Sequence, residues 1–343
     1  MNKLKFGVIG TGRIGRVHIE NLAVKIPRAE VVAISDVNVE GAQLLTKDFS
    51  IPQLFNDGIE MLGLPEVEAV VICSPTDTHT KFIKEAADAG KHIFCEKPID
   101  LSIANVQFAM KETERNDVKL MVGFNRRFDP NFSKLKEVVQ SGKIGTPHIV
   151  KITSRDPAPP SIEYIKKSGG LFLDMTIHDF DMARFLMGSE ITEVFAQGNC
   201  LSDNAIAEAG DIDTAVINLK FENGAMAVID NSRKAAYGYD QRAEVFGSKG
   251  MVSTDNSKPD NHIVFNKEGS HGPLPLHFFL ERYSQAYLNE MNAFIDSISA
   301  DEQPPVTGRD GLLATAAAVA AGQSMLKNRP VAVSDILSET DLR

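Results

Sequence analysis

Lys5-Phe6-Gly7-Val8-Ile9-Gly10-Thr11-Gly12-Arg13-Ile14-Gly15 stands near the N-terminus and decides the reading of the first third of the chain. A short β-branched run, Lys5–Ile9, feeds a Gly-x-Gly-x-x-Gly loop, and an amphipathic pattern follows from Arg13 to about Lys25. Gly10 permits a tight turn, Gly12 lets the backbone approach a pyrophosphate, and Gly15 allows close helix–strand packing. The helix N-terminus adds N–H groups and the positive end of its dipole. A lone glycine loop is weak evidence, since a glycine-rich turn has the same composition. Here both flanks fit, and Asp36 ends the second strand, 21 residues beyond Gly15. A carboxylate at that place accepts hydrogen bonds from ribose hydroxyls and repels a 2′-phosphate, which selects NAD over NADP. The competing role for Asp36 is an N-cap of the following helix.

Working outward, β-branched runs recur at Val31–Ser35, Ala69–Cys73, His92–Cys95 and Leu120–Val122. Helical patterns separate them at about Val39–Phe49, Thr78–Ala89 and Ser102–Arg115. Strands alternating with helices predict a doubly wound α/β Rossmann domain with a mostly parallel sheet, covering residues 1–122. Beyond residue 122 the rhythm changes. Helices are expected at Asp129–Ser141 and Thr176–Met187, with strands at His148–Arg155, Glu193–Cys200, Thr214–Phe221, Ala225–Asn231, Gln241–Phe246, Met251–Ser253 and His262–Phe265. Glu222-Asn223-Gly224 carries a hairpin signal. Two helices, Leu280–Ser299 and Arg309–Leu326, follow. Residues 123–343 therefore read as an α+β domain with a large, mostly antiparallel open sheet.

The chain has 343 residues, enough for two domains with substantial cores. Its 36 basic against 46 acidic residues argue against a nucleic-acid binder, which needs clustered positive charge. A phosphate cradle made of backbone N–H groups is compatible with that acidity. Three dispersed cysteines, Cys73, Cys95 and Cys200, form neither a disulfide framework nor a zinc site and fit a reducing compartment. No stretch reaches the ~20 apolar residues of a membrane span, and the short apolar run before Gly10 does not make a signal peptide. The expectation is a cytoplasmic protein with no membrane partner and no metal.

Other motifs lie at expected strand ends, where ligands of open α/β sheets bind. Ser74-Pro75-Thr76 should line the cofactor site, with His79 just beyond, either beside the cofactor or facing solvent. Glu96-Lys97-Pro98 puts a lysine at the sheet's carboxyl edge, and Pro98 restricts Lys97 to extended backbone. The richest constellation runs from Gly169-Gly170 through Asp174 to His178 and Asp181. Asp174 and His178 are four apart and share a helix face, which Asp181 continues. A His beside a carboxylate suits proton transfer near neutral pH. An N-capping Asp with a solvated His, or a metal held by Asp174, His178 and Asp181, are the competing readings.

Taken together and in this order, the Gly10–Gly15 loop, Asp36, Glu96-Lys97-Pro98 and Gly169-Gly170…Asp174…His178 resemble the glucose–fructose oxidoreductase/inositol dehydrogenase family over essentially the whole chain. Gly123–Asp129 and Tyr237–Asp240 resemble its inositol dehydrogenase branch. The resemblance implies a Rossmann domain and a C-terminal domain whose open sheet forms an oligomer, often a homotetramer. It implies catalytic roles for Lys97, Asp174 and His178, a place near the nicotinamide for Arg127, and one near the substrate for Tyr239. Asp156 falls where some relatives carry Asn at the polyol site, a departure that bears on substrate identity.

The expected reaction is the NAD-dependent oxidation of a ring secondary alcohol of inositol, a small neutral polyol. His178 takes the hydroxyl proton, Asp174 orients His178, and the Lys97 cation hydrogen-bonds the reacting oxygen. The same machinery would suit scyllo-inositol, glucose or a glucoside. An NAD-dependent glycosidase and a non-catalytic NAD-binding regulator are the remaining alternatives.

Overall fold

The computed structural model describes residues 3–338. Two compact units result, the first formed by residues 3–128 and 285–315, the second by 129–284 and 316–338.

Six strands make the sheet of the first unit: β1 (Leu4–Ile9), β2 (Ala29–Ser35), β3 (Gln53–Phe55), β4 (Ala69–Ile72), β5 (His92–Glu96) and β6 (Leu120–Gly123). Their order is β3-β2-β1-β4-β5-β6, with every neighbouring pair parallel. Strand order reverses between β1 and β4, the switch point beyond which doubly wound sheets take their ligands. Val70, Val71 and Ile72 are fully buried, as a strand covered on both faces must be. Helices Val39–Asp48, His79–Asp88 and Ile103–Arg115 lie where their patterns put them. The pattern from Arg13 is α-helical only to Glu20 and ends in a π-turn, Asn21–Lys25. Strand β3 and the helix Gly58–Leu62 have no counterpart in the periodicity, being short pieces that tertiary contacts stabilise. The helix Ser284–Ala300 returns to this unit, packing Phe294 against Phe6 and Phe94 at centroid distances of 6.3 and 5.9 Å.

In the second unit, Asp129 caps the helix Pro130–Gln140 by accepting from the N–H groups of Asn131 and Phe132. The strands are β7 (Pro147–Arg155), β8 (Ile191–Asn199), β9 (Thr214–Phe221), β10 (Met226–Ser232), β11 (Asp240–Gly247), β12 (Gly250–Ser253), β13 (Val264–Asn266), β14 (Gly269–His271) and β15 (Val331–Ala332). Seven of them form one sheet, β12-β11-β7-β10-β9-β8-β15, antiparallel except for β7 with β10. Residues along β9 alternate between core and solvent, so one sheet face is covered and the other open. Asn223-Gly224 turns β9 into β10, with Gly224 at φ 82°. The strand expected at His262–Phe265 starts two residues later and pairs with β14 as an exposed hairpin. The helix expected over Leu280–Ser299 is two pieces, Phe279–Arg282 and Ser284–Ala300.

Candidate active site

Each glycine of the loop after β1 answers to a different constraint. Gly10 has φ +88°, and a Cβ there would stand 2.6 Å from the backbone N of Ser74. A Cβ on Gly15 would stand 2.0 Å from the Gly10 carbonyl oxygen, so helix and loop pack backbone to backbone. A Cβ on Gly12 would meet nothing within 4 Å, which leaves its backbone open to an approaching group. Helix Arg13–Glu20 begins at Gly12 with no side-chain cap and no acid in its first turn. Its leading N–H groups and dipole are therefore directed at whatever the loop holds, an arrangement that fits a pyrophosphate. Arg13 is exposed and Ile14 half-buried on the first turn.

Asp36 follows β2 and does not cap the next helix; Asn38 does that, accepting from Gly41. Asp36 instead accepts from the N–H and hydroxyl of Thr11, both at 2.7 Å, and from the N–H of Asn38 at 2.8 Å. Partial burial pushes its carboxyl up, but the N–H groups of Asn38 and Thr11 and the Thr11 hydroxyl outweigh it and hold the group below its ordinary range. A carboxylate has about four lone-pair sites, so about one remains for a further donor while Thr11 stays bonded. The loop after β1 is thus tied to the loop after β2 through one ionised carboxylate.

The ends of β4 and β5 are tied together. His79 is 2 % exposed, not solvent-facing. Its Nδ1 lies 2.9 Å from the Pro98 carbonyl oxygen and its Nε2 2.8 Å from that of Ser74. Burial holds the imidazole below its ordinary range, while the two carbonyls favour the charged form. The ring therefore braces the Ser74-Pro75-Thr76 turn against the Lys97–Pro98 segment. Ser74 Oγ and Thr78 Oγ1, 2.6 Å apart, tighten the same turn. Pro75 is exposed, while Thr76 and Lys97 are half-buried. Arg127, after β6, donates from Nη2 to Asp310 at 2.8 Å, and that acid also accepts from Thr307 at a helix start. Arg127 is thus held by its own unit at the edge of the β6 end.

Around Glu96, the residue before Lys97, lies a cluster that sequence periodicity does not mark. Glu96 Oε1 and His18 Nε2 are 2.8 Å apart, and Glu290, fully buried, brings a carboxyl oxygen within 4.8 Å of both. Both Glu290 oxygens lack a hydrogen-bond partner. Burial, and then the nearby Glu96, push the Glu290 carboxyl well above its ordinary range. The His18 ring is packed edge-on against Phe94 and Tyr287.

Within the second unit, Asp174 sits in a π-turn, Phe172–Thr176, and His178 in the helix Ile177–Met187 that continues it. π-turns of this kind are frequent at functional sites. Asp174 accepts from the Tyr164 hydroxyl at 2.8 Å and from Arg233 Nη1 at 3.1 Å. Asp181 is 1 % exposed and lies 3.8 Å from Arg184, turned into the core, whereas His178 is half-buried. Asp179 is also internal, accepting from Asn231, which in turn accepts from Thr176. Asp156 lies just past β7, its backbone bonded to Ser232 and Ala235. Tyr239 is 5 % exposed and packs edge-on against Phe278 and Tyr283. Asp36, Lys97 and Arg127 thus belong to the first unit, and Asp156, Asp174, His178 and Tyr239 to the second.

Residues 4–124 match the model of an oxidoreductase family with an NAD-binding Rossmann fold, and residues 132–253 match the GFO/IDH/MocA C-terminal domain. The chain is 51% identical over 327 residues to an uncharacterised oxidoreductase, YrbE, of Bacillus subtilis, covering 95% of this chain and 96% of that protein. It is 49% identical over 334 residues to a myo-inositol 2-dehydrogenase of Thermotoga maritima, covering 97% of this chain and 100% of the relative. A crystal structure of scyllo-inositol dehydrogenase from Lactobacillus casei with NAD(H) and scyllo-inositol superposes with a TM-score of 0.91 at 35% identity, over 97% of this chain and 100% of that one.

Proposed function

The chain belongs to the GFO/IDH/MocA oxidoreductases with an NAD-binding Rossmann fold, and from that premise we propose that it oxidises a ring hydroxyl of inositol to the ketone, acting as an inositol 2-dehydrogenase. The observation that carries the reading is Asp174, a carboxylate gripped by two side chains and standing four residues before a half-buried histidine. When bound, NAD supplies the acceptor for the carbinol hydrogen and both its electrons. Gly10, Thr11, Gly12, Arg13, Ile14 and Gly15 would hold its pyrophosphate, and Asp36 its adenosine ribose. Ser74, Pro75, Thr76 and Glu96 would shape the remaining wall, with His79 holding that turn from the interior and Arg127 toward the nicotinamide end.

His178 takes the hydroxyl proton as general base. Asp174 fixes the orientation of the imidazole and balances the charge it gains. The Lys97 ammonium donates to the reacting oxygen and stabilises alkoxide character there. Asp156 and Tyr239 would meet other substrate hydroxyls, Asp156 as an acceptor only. NAD reduction should be followed at 340 nm, roughly the absorbance maximum of the reduced nicotinamide, with myo-inositol, scyllo-inositol and glucose side by side. Turnover of an inositol, with kcat lowered about 10²-fold or more in His178→Ala, is the expected result. Turnover of glucose alone, or near-full activity without His178, would refute it.

We further infer a homotetramer formed through the open face of the second unit's sheet. Val216, Met226, Phe246 and Met251 stand there between 47 and 50 % exposed, an apolar surface that a partner copy would cover. Light scattering decides it: a monomeric mass would exclude the assembly. Among the described residues no helix is long and apolar enough to cross a membrane, and all three cysteines are unpaired. Both facts support a cytoplasmic setting.

A further inference from the structure

Asp174 is held from outside its own helix by groups on two other segments. Tyr164 belongs to the short helix Ile162–Ile165, and Arg233 follows β10. Arg233 is 1 % exposed and is among the largest fully buried side chains of the chain. A guanidinium taken out of water this completely requires carboxylate company, and Arg233 has two. Nη1 is 3.1 Å from Asp174 Oδ2, and Nη2 is 3.5 Å from Asp211 Oδ2. Asp211 is itself fixed, because its Oδ1 accepts from the Leu171 N–H at 2.9 Å. Gly170 makes room for it: a Cβ there would stand 2.8 Å from the same oxygen. The chain of contacts closes on itself, from Leu171 to Asp211, to Arg233, to Asp174, three residues beyond Leu171.

We propose that Arg233, braced by Asp211, is the positioning residue that sets the Asp174 carboxylate for the reaction. Two carboxylates share one guanidinium, so Arg233 fixes Asp174 without cancelling the negative charge of the cluster as a whole. Tyr164, half-exposed, contributes a neutral second hydrogen bond to the other carboxylate oxygen. Tyr164 and Arg233 thus reach Asp174 from neighbouring segments, with Asp211 behind Arg233, while His178 follows four residues later in the chain. A lysine in place of Arg233 keeps the charge but not the fork that spans both carboxylates.

The inference rests on the role given to Asp174 above, so Asp174→Ala is measured beside the Arg233 variants. Arg233→Gln removes the charge at similar length and should lower kcat with inositol about 10- to 100-fold, the range of a lost charged hydrogen bond. The KM for NAD, whose loop lies in the other unit, should stay within about twofold. Arg233→Lys should recover a large part of kcat. Tyr164→Phe should cost about tenfold at most and, being half-exposed, keeps the test alive if Arg233→Gln does not fold. A kcat equal to wild type in folded Arg233→Gln, with Asp174→Ala inactive, would overturn the positioning role and leave the proposed reaction standing. Near-full turnover of Asp174→Ala would sink both. A kcat of Arg233→Lys no higher than that of Arg233→Gln, or a folded Tyr164→Phe less active than Arg233→Lys, would also count against it.

Discussion

Replacing Glu290 by glutamine should make the protein more stable, and increasingly so as the pH rises. Glu290 is fully buried, neither oxygen has a hydrogen-bond partner, and Glu96 stands close by. Burial first, and Glu96 second, push its carboxyl well above the ordinary value of 4.5. In the window from 4.5 up to that raised value, the folded chain keeps a proton that the unfolded chain has released. Stability therefore falls as pH rises through the window, by at most about 1.4 kcal/mol per pH unit for one proton. Glutamine has nothing to release and fills nearly the same volume. The difference in unfolding free energy between variant and wild type should be smallest near pH 4.5 and widen by up to about 1.4 kcal/mol per unit above it. The chain has no tryptophan, so urea unfolding is best followed by circular dichroism, at pH 5, 6, 7 and 8. Parallel stability curves for the two proteins across that range would refute the account, since they would mean that Glu290 ionises alike in both states.

Asp36→Ala removes the acceptor of three hydrogen bonds at the loop that would hold the ribose. It should raise the KM for NAD about tenfold or more and relax discrimination against NADP, given about 1.5–3 kcal/mol for hydrogen bonds to a charged group; a wild-type enzyme that already prefers NADP would exclude the argument. Gly170→Ala should destabilise by about 1–3 kcal/mol through its φ of +83° and the contact with Asp211, read as a lower unfolding midpoint. An unchanged midpoint would show that the turn accommodates the methyl group.

Those features set by local chemistry were legible in the sequence. The glycine loop, the parallel βαβ rhythm and the Asn223-Gly224 hairpin depend on a few adjacent residues, and each stands where its pattern puts it. The resemblance built on Glu96-Lys97-Pro98 and Asp174…His178 led to the family to which the chain belongs. What escaped depends on tertiary contacts. A π-turn differs from an α-turn only in which carbonyl each N–H reaches, so the pattern from Arg13 gave no sign of the one at Asn21–Lys25. The brace on Asp174 draws on Tyr164, Asp211 and Arg233, which no sequence spacing relates. Glu290 falls within the helix expected over Leu280–Ser299, and only packing shows it to be internal. His79 likewise offers no sequence sign that both its ring nitrogens meet backbone carbonyls.

The return of residues 285–315 to the first unit has a bearing on how the chain acquires its structure. Phe6 and Phe94 await Phe294, and His18 awaits Tyr287 and Glu290. During synthesis the N-terminal sheet emerges first, yet those partners leave the ribosome only after the second unit's seven-stranded sheet is almost complete. The half that would bind the nucleotide is begun first and finished late. A nascent chain stalled before Ser284 would carry the whole glycine loop and all six parallel strands with one flank of its core still bare.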